Sequence, residues 1–172
     1  MFNKILVAVE DSEMGQYVFT EALALAKATN ARLMLLYVLC SYEQQYLSSL
    51  TAAAYPSFYS EATNAYTKRW EELKEEGINF LQSLSNQAQA AGVTVEFTQR
   101  VGEPGPMICE ASKSWEADLI VMGRRGLRGI SEFLLGSVSN YVLHHADCSV
   151  LALQGRIPGN AFTVGKKQET KV

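Results

Sequence analysis

The sequence predicts one doubly wound α/β domain, a five-stranded parallel sheet with helices on both faces. Three observations carry this. Short apolar, β-branched runs recur five times. Segments with helical spacing of apolar residues separate them. Glycine, proline or capping side chains punctuate the joins. At 172 residues the chain suits a single domain.

The first run, KILVAV at residues 4–9, is apolar at successive positions, the pattern of a strand buried on both faces. Glu10-Asp11-Ser12 ends it and supplies helix-capping side chains. From residue 13 to 29, Met14, Val18, Ala22, Leu25 and Ala26 recur at helical spacing, and Asn30 closes the helix. Residues 32–39 (RLMLLYVL) form a second buried strand. A Tyr/Ser-rich connection over 40–60 follows, holding Tyr42, Tyr46, Tyr55, Phe58 and Tyr59; it reads as a cover for the sheet edge or a pocket. A long helix over about 61–91 has Trp70, Leu73, Gly77, Leu81, Leu84, Ala88 and Ala91 on one face, and Gly92 stops it. Residues 93–98 alternate as a third strand. Residues 104–115 form a helix with Pro104 at its start, where a missing N–H costs little. Residues 118–122 (DLIVM) are the fourth strand. After an irregular glycine-rich stretch, Gly136-Ser137 opens a short helix with Val138, Tyr141, Val142 and His145 on one face. Residues 148–153 (CSVLAL) are the fifth strand. The expected division is a domain over 1–154 and a polar, basic extension over 155–172.

Composition narrows the function. Apolar residues make up 48% and charged residues 19%, ordinary for a globular core. A net charge of −3 argues against general nucleic-acid binding, which needs basic surface to displace counterions. Residues 155–172 carry a net charge of +3, the balance expected of a solvated tail. Cys40, Cys109 and Cys148 are odd in number and widely spaced, which argues against a disulfide framework or a zinc site. No stretch resembles a signal peptide, and none of roughly 18 apolar residues exists to span a membrane. A cytoplasmic protein is the expectation.

Ligands of open α/β sheets bind at the carboxyl ends of strands where the winding reverses. Two segments stand at such ends, Glu10-Asp11-Ser12 and the stretch from Gly123. The latter reads Gly123-Arg124-Arg125-Gly126, then nine residues, then Gly136-Ser137-Val138-Ser139. Gly123, Gly126 and Gly136 let the backbone turn and approach a ligand. The helix start at Ser137 to Ser139 presents unbonded N–H groups and a partial positive charge, a ready receptor for phosphate. Arg124, Arg125 and Arg128 add cations. The P-loop, the dinucleotide fingerprint after the first strand and the nucleophile elbow are all missing. Glu10-Asp11 serve either Mg²⁺ beside phosphates or helix capping. His144-His145 suit a helix C-terminus rather than a shared ligand.

These residues resemble the universal stress protein family. Gly123-x2-Gly126-x9-Gly136-Ser137 is similar to the signature of its ATP-binding branch, and KILVAVEDSE, LLYV, DLIVMGRRG and CSVLAL match over residues 3–153. The resemblance implies strand order 3-2-1-4-5. It implies ATP, with or without Mg²⁺, as the ligand. Ala8, Val9 and Glu10 would then edge the pocket, and Val38 would meet the adenine through its backbone. Met122, Gly123, Arg125 and Gly126 would run beside ribose and phosphates, and Gly136, Ser137, Val138 and Ser139 would hold the phosphates. It further implies a homodimer through strand 148–153 and a nucleotide-dependent stress or signalling role read by a protein partner. A slow ATPase or self-phosphorylating enzyme and a scaffold without nucleotide are the alternatives. Two departures are plain: Glu10-Asp11-Ser12 stands where the family usually has Asp-Gly-Ser, and Ser149 where it has proline.

Overall fold

The structure is a computed structural model and describes residues 1–40, 59–124 and 136–154; for residues 59–63 and 66 it describes the backbone alone. Strands β1 (Lys4–Val9), β2 (Arg32–Cys40), β3 (Val95–Gly102), β4 (Leu119–Gly123) and β5 (Ser149–Leu153) alternate with helices α1 (Glu13–Thr29), α2 (Tyr59–Ala90), α3 (Pro104–Ser114) and α4 (Ser137–His145). All pairings are parallel and the order is β3-β2-β1-β4-β5, as expected.

Each helix ends as its residues dictate. Ser12 caps α1, its hydroxyl accepting the Gly15 N–H at 3.1 Å. Asn30 closes α1 in the left-handed conformation (φ 56°), a state its short polar side chain tolerates. Pro104 opens α3. Gly92, at φ 80°, turns the chain out of α2.

The third strand begins two residues later than expected and runs to Gly102. The Val93 N–H donates to the Ala88 carbonyl at 3.0 Å, so Val93 finishes the helix cap rather than opening the strand. At its far end β3 stays paired with β2 through Cys40 and Gly102.

Two cores flank the sheet. Ile5, Val7, Leu33, Leu35, Leu119 and Val121 pack under Val18, Phe19 and Ala22 of α1 and Leu81, Leu84 and Ala88 of α2. Leu6, Leu36, Ile120 and Met122 pack under Ile108 and Ala111 of α3 and Val142 of α4. Successive strand residues alternate between the two, as the period of a strand requires. Trp70 is buried, as core packing predicts. Gly77 lies against the Tyr37 ring, where an added Cβ would come within 2.8 Å; the missing side chain lets α2 lie close on β2.

The expected single face of α4 divides. Val138 and Val142 turn toward the sheet, whereas Tyr141 and His145 are exposed. Their rings stack at 4.0 Å, and His145 Nδ1 lies 2.8 Å from the Tyr141 carbonyl, a helix-end role for this histidine. Among the described residues no helix is long and apolar enough to cross a membrane. The three cysteines are free and half-buried. Tyr42, Tyr46, Tyr55, Phe58 and the 155–172 extension lie outside the described residues.

Candidate functional site

The exits of β1 and β4 are neighbours at the carboxyl edge of the sheet. Ala8 stands beside Met122 in the register, and Ala8 also pairs with Leu36 of β2. The winding reverses here: α1 and α2 cover one face, α3 and α4 the other. Open α/β sheets hold ligands at such a reversal.

On the α3/α4 face, Ala8, Val38 and Met122 join one apolar cluster, and Val138 of α4 packs against it. Residues from β1, β2, β4 and α4 that lie far apart in sequence therefore meet. Val138 belongs to the first turn of α4. That start has Gly136 as N-cap and no side-chain cap. The first bond of the helix runs from the Asn140 N–H to the Gly136 carbonyl at 2.9 Å, so the amides of Ser137, Val138 and Ser139 precede it. They carry the positive end of the helix dipole. Ser139 is buried and its hydroxyl donates to the Gly136 carbonyl at 3.0 Å, while Ser137 is exposed. Gly136 adopts φ −55°, ψ 152°, a conformation open to other residues, so its backbone angles do not demand glycine.

Other candidates sit differently. Val9 sends its side chain into the opposite core, 5% exposed, and only its backbone borders the crevice. Glu10 is tied into the α1 cap. The Ser12 N–H donates to its carbonyl at 2.9 Å, and the Ser12 hydroxyl lies 3.2 Å from its carboxylate. Gly123 ends β4 and pairs with Leu153, but its missing Cβ faces α1: an added methyl would lie 2.9 Å from Met14 Cγ and 3.3 Å from Val18 Cγ2. Arg124 donates its N–H to the Leu153 carbonyl at 2.8 Å, and its guanidinium reaches Gln154 Oε1 at 3.3 Å, toward β5. Arg125, Gly126 and Arg128 lie outside the described residues.

Sequence reasoning passed over Gly15. A Cβ there would fall 1.8 Å from the Glu10 carbonyl oxygen, so α1 seats directly on the β1 exit. The signal was a glycine inside the first turn of a helix, a costly choice unless close packing requires it. Among the described residues no group of three or more His, Cys, Asp or Glu gathers as a metal cage. Burial pushes the Cys109 and Cys148 thiols up, which keeps them protonated and poorly nucleophilic.

The model of the Universal stress protein family matches residues 1–154. A universal stress protein of Synechocystis sp. is 43% identical over 157 residues, covering 89% of this chain and 98% of the relative. Among solved structures, a universal stress protein in complex with cAMP superposes with TM-score 0.58 at 23% identity, covering 89% of this chain and 97% of that one. A universal stress protein family protein from Arabidopsis thaliana with AMP bound gives TM-score 0.58 at 22% identity, covering 96% and 97%. At these identities the structural likeness is one of fold. The family match over all five strands, the strand order and the similar Synechocystis relative agree: the chain belongs to the universal stress protein family.

Proposed function

We propose that this chain binds an adenine nucleotide, ATP foremost, at the β1–β4 exit and acts as a nucleotide-dependent stress or signalling module in the cytoplasm. The observations that carry the reading are that Ala8, Val38 and Val138 pack against one apolar cluster with Met122, and that α4 starts without a side-chain cap. An apolar floor suits a base and ribose, and a helix start suits phosphate. The cAMP and AMP found on structural neighbours support the same ligand class.

In this reading the adenine lies along the end of β2 at Val38, with Ala8, Val9 and Glu10 edging the pocket. Met122, Gly123, Arg125 and Gly126 follow the ribose and phosphates. The phosphates meet the amides at Ser137, Val138 and Ser139 beside Gly136. Mg²⁺, where used, arrives with the phosphates. Two copies pair through strand 148–153: β5 is a sheet edge, and Leu151 on it is exposed, as is Leu143 of α4. A monomer by light scattering at micromolar concentration overturns the pairing. The bound state is what a protein partner reads.

Nucleotide in an acid extract of freshly purified protein, with dissociation constants in the micromolar range, is the expected result. Gly136→Val sets a side chain at the phosphate entry and weakens binding by about thirtyfold or more, roughly 2 kcal/mol. Unchanged affinity in that variant refutes the phosphate cradle.

A further inference from the structure

We infer that Met14 is a positioning residue, the part of a packing joint that fixes the separation of the β1 and β4 exits, and that Gly123 is glycine to admit it. The inference rests on the proposed nucleotide reading for its consequence, and on packing for its cause.

Gly123 reads in the sequence as a residue that clears space for a ligand. Its missing Cβ points elsewhere. An added methyl would lie 2.9 Å from Met14 Cγ, 3.4 Å from Met14 Sδ and 3.3 Å from Val18 Cγ2, all on α1. Val18 is 1% exposed and fixed in the core, so it yields little. Met14 is half-buried in the first turn of α1 and packs against the same core.

That first turn cannot lift away to make room. Gly15 seats against the Glu10 carbonyl so closely that a Cβ there would fall 1.8 Å from the oxygen. The Ser12 hydroxyl accepts the Gly15 N–H at 3.1 Å, and the Ser12 N–H holds the Glu10 carbonyl at 2.9 Å. The start of α1 is thus bolted to the exit of β1. Bulk added at Gly123 is relieved by driving the end of β4 toward the opposite face. That face holds Met122, Ala8, Val38 and Val138. Met14 therefore gauges how far β4 stands from α1, and so where the chain leaves the strand toward residue 125.

A double-mutant cycle tests this through nucleotide affinity and thermal midpoint. Met14→Ala alone weakens binding by about threefold, because β4 loses the side chain that sets its distance from α1 even though Met14 touches no ligand. Gly123→Ala alone weakens binding by about tenfold or more. Combining the two restores affinity to within about threefold of M14A. A double variant as weak as G123A overturns the inference, since Gly123 would then serve the ligand directly. Wild-type protein that binds no nucleotide defeats the proposed function and leaves the joint to the thermal midpoints. There the joint requires G123A to lower the midpoint more in the wild-type background, with Met14 present, than in the M14A background. Equal decrements overturn it.

Discussion

The two faces of the sheet are built to different ends. The α1/α2 face joins Ile5, Val7, Val9, Leu33, Leu35, Leu119 and Val121 to two helices, and Phe19, Leu81 and Leu84 are fully enclosed there. The α3/α4 face has a smaller buried set, Leu6, Leu36, Ile108, Ala111, Ile120, Met122 and Val142 among the described residues. Around it lie half-buried Ala8, Val38 and Val138, which border the crevice. In the proposed reading, this face leaves room at its edge for the nucleotide and so does not close over itself. Among the described residues the first face supplies most of the apolar burial and fixes the frame; in the proposed reading the second gives up burial for access. The bolt at Gly15 and the gauge formed by Met14 against Gly123 belong to the first face, and in our inference they set the shape of the second.

The largest break in that contrast comes at Gly15. Gly15→Val puts bulk into a backbone carbonyl that has nowhere to go, and the loss should exceed about 4 kcal/mol. Denaturant titration of the variant, expected unfolded or nearly so at room temperature, checks it. Next, Leu35→Ala on the closed face should cost about 3 kcal/mol and Val142→Ala on the open face about 2 kcal/mol or less, because fewer atoms are removed there. Only the second change should also shift nucleotide affinity. Equal effects of both on affinity would erase the division of labour. Ser12→Ala removes the α1 cap and should cost about 1 kcal/mol, read from the midpoint of urea unfolding with an unchanged slope.

The smallest effect concerns the thiols of the open face. Burial raises both Cys109 and Cys148; a nearby Asp147 adds to it at each, while a hydrogen bond to Ser112 pulls Cys148 back. Both are therefore neutral at about pH 8 and gain thiolate only as pH climbs above the range of an ordinary cysteine. Alkylation at about pH 8 should run slower than for a free cysteine and rise with pH. Rapid labelling would mean that this face opens more than its packing implies.

Much of the frame is written in local pattern. KILVAV is apolar at all but its first position, and LIVM at every one, because strands in the middle of a covered parallel sheet have no solvent side. Asn30, Gly92 and Pro104 mark their helix ends by conformations few residues favour. The start of β3 is harder to read, because Val93 is apolar for a cap contact rather than for a strand, and composition does not separate the two. Helical spacing alone turns Tyr141 and His145 inward with Val138 and Val142. Packing decides otherwise. Gly105 of α3 lies under the Tyr141 ring, where a Cβ would come within 2.8 Å, so the ring rests on α3 with one edge in solvent.

The candidate site is legible in part. Strand ends and a helix start can be read along the chain, and Ala8, Val38 and Val138 pack against the apolar cluster that holds Met122; their role toward a ligand stands as part of the proposal. Which way a residue faces is less easily read. Val9 turns to the opposite core, and the space left by Gly123 opens to α1. A glycine in a sequence announces missing bulk but not the neighbour that needs the space. Residues 125–135 lie outside the described residues, and the roles of Arg125 and Gly126 stand as part of the proposal.

A crystal of the protein grown with excess ATP tests the central claim most directly. The account predicts density for the base and ribose against Ala8, Val38 and Met122, with phosphate oxygens within hydrogen-bonding distance of the Ser137 to Ser139 amides. A crevice closed by the protein's own side chains, with no density for the nucleotide there, would contradict it.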